Sequence, residues 1–331
     1  MAFENTELFE HIAEQAIKKY DFPNSSRAKI LQFSENATYL VYDSITQENL
    51  GALRISRPGY HTLEELKSEI TWLKQIKNDT PVVVANPLKG IDGSSIQSIQ
   101  GADGREYHCI MTEFLTGTTP DENDEPAAVK QFAALGETTA YLHRHTQRWK
   151  GTVNLQRIHW TYHNMVGDTP VWGRWQVAKD LTPEMTVTLT RTSDIIKKRL
   201  ECYGRNDDNY GLIHADLRLA NLLMEGEEIK VIDFDDCGFG WYLHDLASSV
   251  SFIETKPIVP ELIDSWLEGY RKILPFHEKD FKEIDTFIMQ RRLQLMAWLA
   301  SHEESTPVKE LSVGFTEGTM ELAERYLQIF G

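Results

Sequence analysis

The most restrictive feature of this chain is a polar loop held between apolar runs. Leu212-Ile213 leads into His214-Ala215-Asp216-Leu217-Arg218-Leu219-Ala220-Asn221, and Leu222-Leu223-Met224 leads out. The apolar, β-rich flanks predict two short strands with a tight loop between them. Glu225-Gly226-Glu227-Glu228 reads as a hairpin turn, and Ile229 to Ile232 as its return strand. Such a hairpin holds Asp216 and Asn221 still and delivers Asp233 next to Asn221.

His, Asp and Asn are also ordinary turn formers and caps, and a lone His-x-Asp carries little weight. The weight comes from the Asn at its offset, the apolar flanks and the strand-Asp hairpin occurring together. The chemistry that needs such a set is phosphoryl transfer. Moving a γ-phosphoryl group from a nucleotide requires a carboxylate near the acceptor hydroxyl and oxygen ligands for magnesium. Asp216 supplies the carboxylate. Asn221 and Asp233 supply two oxygens, and suit a metal that keeps waters and nucleotide oxygens as its other ligands.

His214 to Asn221, followed by Ile232-Asp233-Phe234-Asp235, resembles the Brenner-type signature of aminoglycoside phosphotransferases and choline kinases, relatives of the protein kinases. The resemblance extends to Gly238-Phe239-Gly240 and Asp245-Leu246-Ala247 and, more weakly, through much of the N-terminal half. It implies an α+β, bilobal, protein-kinase-like fold. Residues 1–115 are then an N-lobe of antiparallel sheet and helix, and residues 116–331 a mostly helical C-lobe. It also implies an ATP- and Mg2+-dependent kinase acting on a hydroxyl of a small molecule.

Composition narrows the partners. The net charge of −16 over 331 residues argues against nucleic acid, which needs clustered Lys and Arg. Such a field favours a cationic acceptor. No apolar run approaches a membrane span. The acidic, amphipathic start of the chain does not read as a signal peptide. Cys109, Cys202 and Cys237 are too few and scattered for a disulfide framework or zinc site, so a reducing cytoplasm is expected.

In chain order, Asn5 to Tyr20 has helical spacing, and three β-type segments follow: Ala28 to Phe33, Thr38 to Tyr42 and Leu50 to Ile55. The turn Ser34-Glu35-Asn36-Ala37 is either an ordinary hairpin turn or, by the resemblance, the cover over the nucleotide phosphates, with Asn36 in the site. Where most of the family has Lys, this chain has Arg54, a permanently charged fork expected at the α- and β-phosphates. Arg57 either shares that role or is a solvated turn residue.

Thr62-Leu63-Glu64-Glu65 is a capping box opening a helix with one apolar face. By the resemblance Glu69 on that helix pairs with Arg54, with Glu65 the rival. The strand Tyr107 to Leu115 becomes the hinge, where backbone groups of Glu113 and Leu115 meet the adenine edge. Ala127 to His145 is a strong helix, with His143 and His145 read as C-terminal caps. The aromatics of Gln156 to Trp175 are either a wall of an acceptor pocket or a patch closing the core.

A helix from Thr182 to Tyr203 precedes the catalytic stretch, and helices are expected over Trp241–Ile253, Glu261–Lys272, Asp280–Ala300 and Glu317–Phe330. Asp245 braces the catalytic loop by the same resemblance, and Arg218 neutralises charge on the travelling phosphoryl group. Rival readings are a protein Ser/Thr kinase and an inactive nucleotide-binding scaffold. The short segment between Asp236 and Trp241 leaves little platform for a peptide.

Overall fold

The computed structural model describes residues 6–33, 36–121, 124–303 and 306–331. Ser34 and Glu35 of the expected phosphate-covering turn, Glu122 and Asn123 of an acidic run, and residues 1–5 lie outside that set. In order, the elements begin α1 (Thr6–Ile17), β1 (Ser26–Phe33), β2 (Ala37–Asp43), β3 (Asn49–Ile55), α2 (Leu63–Asp79), β4 (Val83–Val84), β5 (Ile96–Gln100), β6 (Glu106–Thr112) and α3 (Glu125–Arg148). They continue β7 (His159–Trp160), α4 (Tyr162–Met165), α5 (Pro183–Tyr203), β8 (Tyr210–Ile213), β9 (Leu222–Glu225), β10 (Glu228–Val231) and β11 (Gly238–Trp241). The last are α6 (Leu243–Ser249), α7 (Val259–Arg271), α8 (Glu278–Phe281), α9 (Ile284–Ser301), α10 (Thr306–Leu311) and α11 (Phe315–Phe330).

The chain forms two compact units. The first takes in Met1–Thr118, Asn154–Arg157 and Glu225–Ile232, and the second Thr119–Val153, Ile158–Met224 and Asp233–Gly331.

In the first unit a five-stranded antiparallel sheet runs in the order β1-β2-β3-β6-β5. Side chains alternate across a strand, so each strand feeds two faces. Tyr39 and Val41 of β2, Leu53 and Ile55 of β3, and Cys109 and Met111 of β6 pack with Ile12, Ala13 and Ala16 of α1. Ile110, between two of those positions, packs instead with Leu66 and Ile70 of α2. Arg54 lies between Leu53 and Ile55 and so turns to the α2 side. The α2 capping box forms as the sequence implies: Glu65 N–H donates to Thr62 Oγ1 and Thr62 N–H to Glu65 Oε2.

The second unit is mainly helical around a small sheet ordered β7-β11-β8. α3 and α7 pack through glycines. A Cβ on Gly136 would lie 1.9 Å from Trp266 O, and one on Gly269 1.8 Å from Ala133 O. The mixed α+β architecture, with an antiparallel N-terminal sheet and a helical C-terminal region, is the expected one.

Two expected helices differ. The stretch Trp241–Ile253 is not one helix from its start: Gly238-Phe239-Gly240-Trp241 is strand β11, and α6 begins at Leu243. Strand β11 pairs antiparallel with β8, Gly238 opposite Ile213 and Trp241 opposite Tyr210. The Asp280–Ala300 helix divides into α8 and α9, because Asp280 turns back to accept the His277 N–H (3.0 Å) and closes a separate short turn.

Candidate active site

The β8–β11 pairing is what groups the polar residues. β8 runs into the loop 214–221, and β11 is entered from Asp233 to Cys237, so the antiparallel register puts both stretches at one end of the sheet. The loop is sharply bent. Ala215 has φ 70° and Asp233 has φ 61°, left-handed values that cost energy in a residue with a side chain and persist where surroundings impose them.

Asp245 on α6 imposes the first. Its Oδ1 accepts from Ala215 N–H (2.7 Å) and its Oδ2 from His214 N–H (3.2 Å), while Ser248 Oγ donates to Ala215 O (2.9 Å). Behind Asp245 stands His143, whose Nε2 is 3.1 Å from Oδ2 and whose Nδ1 is 3.0 Å from Tyr270 Oη. Burial raises the Asp245 pKa, but the His143 hydrogen bond and the nearby histidines outweigh it and hold the carboxyl below its usual range. His143 is thus no helix cap. α3 runs on to Arg148, and His143 falls on the buried stripe with Leu135, Thr139 and Thr146. His214 anchors the loop locally: Asp216 N–H donates to its Nδ1 (3.3 Å), and its ring packs on Phe234.

Asp216 is held from two sides. Asn221 Nδ2 donates to both Asp216 Oδ2 and Asp216 O, each at 2.8 Å. Two acceptors on that side fix the amide orientation, and leave Asn221 Oδ1 as the oxygen available to a cation. From the other side Arg291 Nη2 donates to Asp216 Oδ1 at 2.6 Å. The Asp216 side chain remains 20% exposed. Arg218 lies in front, Nε 3.6 Å from Asp216 Oδ2, its guanidinium over the Phe252 ring.

No local motif marks Arg291 in the sequence. It is buried in α9, with Nε on Ser251 Oγ (3.2 Å) and Nη1 on Gln294 Oε1 (3.1 Å). Its guanidinium lies 5.0 Å from the centre of the Trp172 ring, and Trp172 meets Trp160 edge to face. Burial pushes the Arg291 pKa down, opposed by Asp216 and Asp236. The aromatics of 156–175 therefore border the Asp216 side of the unit. Asp235 is buried, and Asp236 O accepts from Trp160 Nε1 (2.8 Å).

No group of three or more His, Cys, Asp or Glu able to hold a metal occurs among the described residues. An amide oxygen at Asn221 with a carboxylate at Asp233 fits a hard divalent cation that takes its remaining oxygens from phosphate and water.

In the first unit Arg54 Nη2 donates to Glu69 Oε2 at 2.7 Å, with Glu69 buried. The rival, Glu65, is taken by the capping box. Arg157 lies 3.8 Å from the same Glu69 oxygen and also donates to Glu65 O (3.2 Å). Asn36 is buried with Oδ1 accepting from Arg57 N–H (3.2 Å), so its side chain ties the start of β2 to the chain just past β3. The Glu113 N–H donates to Asn86 O (2.9 Å). The Glu113 side chain meets Lys77 and Asn86. Leu115 follows β6 by three residues and is half-buried.

Comparison with known proteins gives these residues a context. Residues 29–282 match the sequence profile of the phosphotransferase enzyme family (APH). The solved structure of a microcompartment-associated aminopropanol kinase is 40% identical, with 97% of this chain and 98% of that one covered at a TM-score of 0.88. Amicoumacin kinase of Bacillus subtilis (strain 168) is 22% identical over 271 residues, 79% of this chain and 76% of that protein. A solved amicoumacin kinase in complex with AMP-PNP, Ca2+ and Ami has the same fold, at 20% identity and a TM-score of 0.76 over 96% of this chain and 94% of that one. The chain, with its Asp216–Asn221 loop and Asp233, belongs to the phosphotransferase enzyme family.

Proposed function

We propose that this protein is a kinase that moves the γ-phosphoryl group of ATP to the hydroxyl of a small amino alcohol, with Mg2+ as the metal. The observation that carries the reading is the held carboxylate. Asp216 is fixed by Asn221 and Arg291, yet keeps an exposed edge for an acceptor. The 40% identity to an aminopropanol kinase supports an amino alcohol over the other acceptors of such enzymes, and the net charge of −16 supports a cationic one.

Asp216 accepts the hydrogen bond of the incoming hydroxyl and aims its oxygen at the γ-phosphorus. As the new O–P bond forms and the bond to the β–γ bridging oxygen breaks, the hydroxyl proton passes to Asp216. Arg218 stabilises charge on the moving phosphoryl group. Asn221 Oδ1 and Asp233 would hold the metal, which would supply neutralisation of phosphate charge. Arg54, steadied by Glu69, takes nucleotide phosphate oxygens. Backbone groups of Glu113 and Leu115 take the adenine edge, and Asn36 supports the turn over the phosphates. Three free cysteines, Cys202 exposed among them, support a cytoplasmic location. No helix among the described residues is long and apolar enough to cross a membrane.

The test is acceptor-dependent ADP release across a panel of amino alcohols, amino acids and aminoglycosides. Stimulation by short amino alcohols is expected, with Asp216→Asn binding ATP but turning over orders of magnitude more slowly. ATP binding without stimulation by any acceptor would leave a nucleotide-binding scaffold. Normal turnover in Asp216→Asn would remove the base assignment.

A further inference from the structure

Phe252 stands in a strained backbone beside the catalytic loop. It follows α6 by three residues, and its φ is 70°. A left-handed backbone is an outlier for a side chain of this bulk, and it persists only where the surroundings dictate it. Two consecutive arginines of α9 dictate it here. Arg291 Nε donates to Ser251 Oγ at 3.2 Å, one residue before Phe252, and Arg292 Nη1 donates to Glu254 Oε2, two residues after it. Glu254 and Arg292 are both buried, so this second clamp is shielded from water. Ser251 N–H donates to Ser248 O and Ile253 N–H to Val250 O, which closes the turn from within.

The turn presents its ring to Arg218. The Arg218 guanidinium carbon lies 5.5 Å from the centre of the Phe252 ring, within the range of a cation–π contact. Against the same ring stand Trp298 of α9, 6.0 Å away at 63°, and Phe315 of α11, 5.9 Å away at 54°. These neighbours fix the plane of the ring. Arg218 has little else to orient it. Its Nε is buried without a hydrogen-bond partner among the described residues, and Asp216 Oδ2 is 3.6 Å from it, too far for a hydrogen bond. The side chain is 27% exposed, so without the ring a long, flexible arginine is free to swing.

We propose that Phe252 is a positioning residue, whose strained turn holds the Arg218 guanidinium on a fixed ring face and so aims it at the phosphoryl group in transit. This rests on the kinase reading above, which gives Arg218 that charge to stabilise, and it adds the group that orients it. The ring suits the task. Its face attracts the guanidinium without taking up an N–H, so the donors that point away from it stay available to phosphoryl oxygens. A glycine would adopt this backbone without strain and would lose the ring. The phenylalanine keeps the ring at the cost of the strain.

The experiment is steady-state kinetics and thermal unfolding of the full-length protein, with ATP and 1-amino-2-propanol. Two variants remove the ring with opposite effects on the backbone: Phe252→Leu keeps bulk and strain, and Phe252→Gly relaxes φ and leaves a void. Both should lower kcat by similar factors, about tenfold, while the KM values for ATP and the amino alcohol move by less than about twofold. Phe252→Tyr, which keeps a ring face, should recover kcat to within about threefold of the wild type. Arg218→Gln should lower kcat about a hundredfold, and adding Phe252→Leu to it should cost no more than about a further twofold. Should one ringless variant fail to fold, the other carries the comparison.

A wild-type kcat in the ringless variants overturns the proposal. So does a full tenfold loss on top of Arg218→Gln, because the ring would then act through something other than that guanidinium. A kcat that follows the Tm across the Leu, Gly and Tyr variants also overturns it, as the mark of a structural role. Wild-type turnover in Arg218→Gln overturns it and leaves the kinase reading standing. Failure of the wild type to release ADP with any amino alcohol sinks the kinase reading itself, and the proposal with it.

Discussion

Arg291 Nη2 donates to Asp216 Oδ1 across 2.6 Å, from a guanidinium 2% exposed to a carboxylate 20% exposed. The pair joins α9 to the loop 214–221, two stretches 75 residues apart in sequence. The contact aims the carboxylate, whose other oxygen is fixed by Asn221.

Arg291→Met therefore tests aim. Removing one partner of a buried pair costs on the order of 3–5 kcal/mol, and the partial exposure of Asp216 favours the lower figure. The turnover loss should be about a hundredfold, the scale of a small displacement of a reacting group. Arg291→Lys keeps the charge but cannot serve Asp216, Ser251 and Gln294 together, so it should recover only part of kcat. The KM for ATP should move by less than twofold in both. A wild-type kcat in Arg291→Met would make the contact incidental.

In the first unit the Arg54–Glu69 pair makes a separate prediction. Glu69 Oε2 serves Arg54 at 2.7 Å and lies 3.8 Å from Arg157. Glu69→Gln leaves two neighbouring guanidinium groups with no negative charge between them. Arg54 should then lose its fixed direction, raising the KM for ATP about tenfold while the amino-alcohol KM holds, since a hydrogen bond to a charged group contributes about 1.5–3 kcal/mol. ATP titration of the variant checks it. A change confined to the acceptor KM would place Glu69 in a different role.

What the sequence makes legible is local. Asp216 and Asn221 are five residues apart with strands on both sides, and the capping box Thr62–Glu65 spans three residues. Arg54 and Glu69 follow from strand alternation and helix phase once a fold is suspected. Arg291 and His244 carry no such signal. An Arg in the middle of a helix ordinarily faces water, and only the packing of α9 on all sides makes this one internal. His143 does carry a signal. It lies eight residues after Leu135 and four after Thr139, on the buried stripe, which outweighs its nearness to the helix end. β11 is hidden by its glycines, which weaken a strand pattern. At Gly238 a Cβ would come within 2.6 Å of the backbone oxygen of Ile158, so the strand needs the glycine there.

Asp245 serves two backbone N–H groups and one imidazole, all as an acceptor. Asp245→Asn keeps the shape but turns an NH2 toward one of these donors, leaving a donor facing a donor. The left-handed Ala215 depends on that carboxylate. Turnover should fall about a hundredfold or more with a lower Tm, and Asp245→Asn should do no better than Asp245→Ala. Recovery of activity in the Asn variant alone would mean that shape, not charge, braces the loop.

His244 predicts an acid sensitivity with a definite sign. Its pKa falls from the ordinary 6.5 to about 3 in the folded protein, through burial first and the Arg291 charge second. Between those values the unfolded chain holds a proton that the folded one does not. Stability therefore rises with pH across this window: it is full above 6.5 and is lost toward 3, at up to ~1.4 kcal/mol per pH unit. His244→Phe removes this group and keeps a flat ring against Trp160. Urea unfolding at pH 7, 6, 5 and 4.5 should show a shallower fall in stability for the variant, by close to one proton. His159, whose pKa burial and Arg205 also lower, remains in the variant and leaves part of the slope in place. Asp245, held below its ordinary 3.8, loses its contribution only at more acid pH, outside this range. Parallel pH profiles for the two proteins would mean that His244 takes up its proton as readily folded as unfolded.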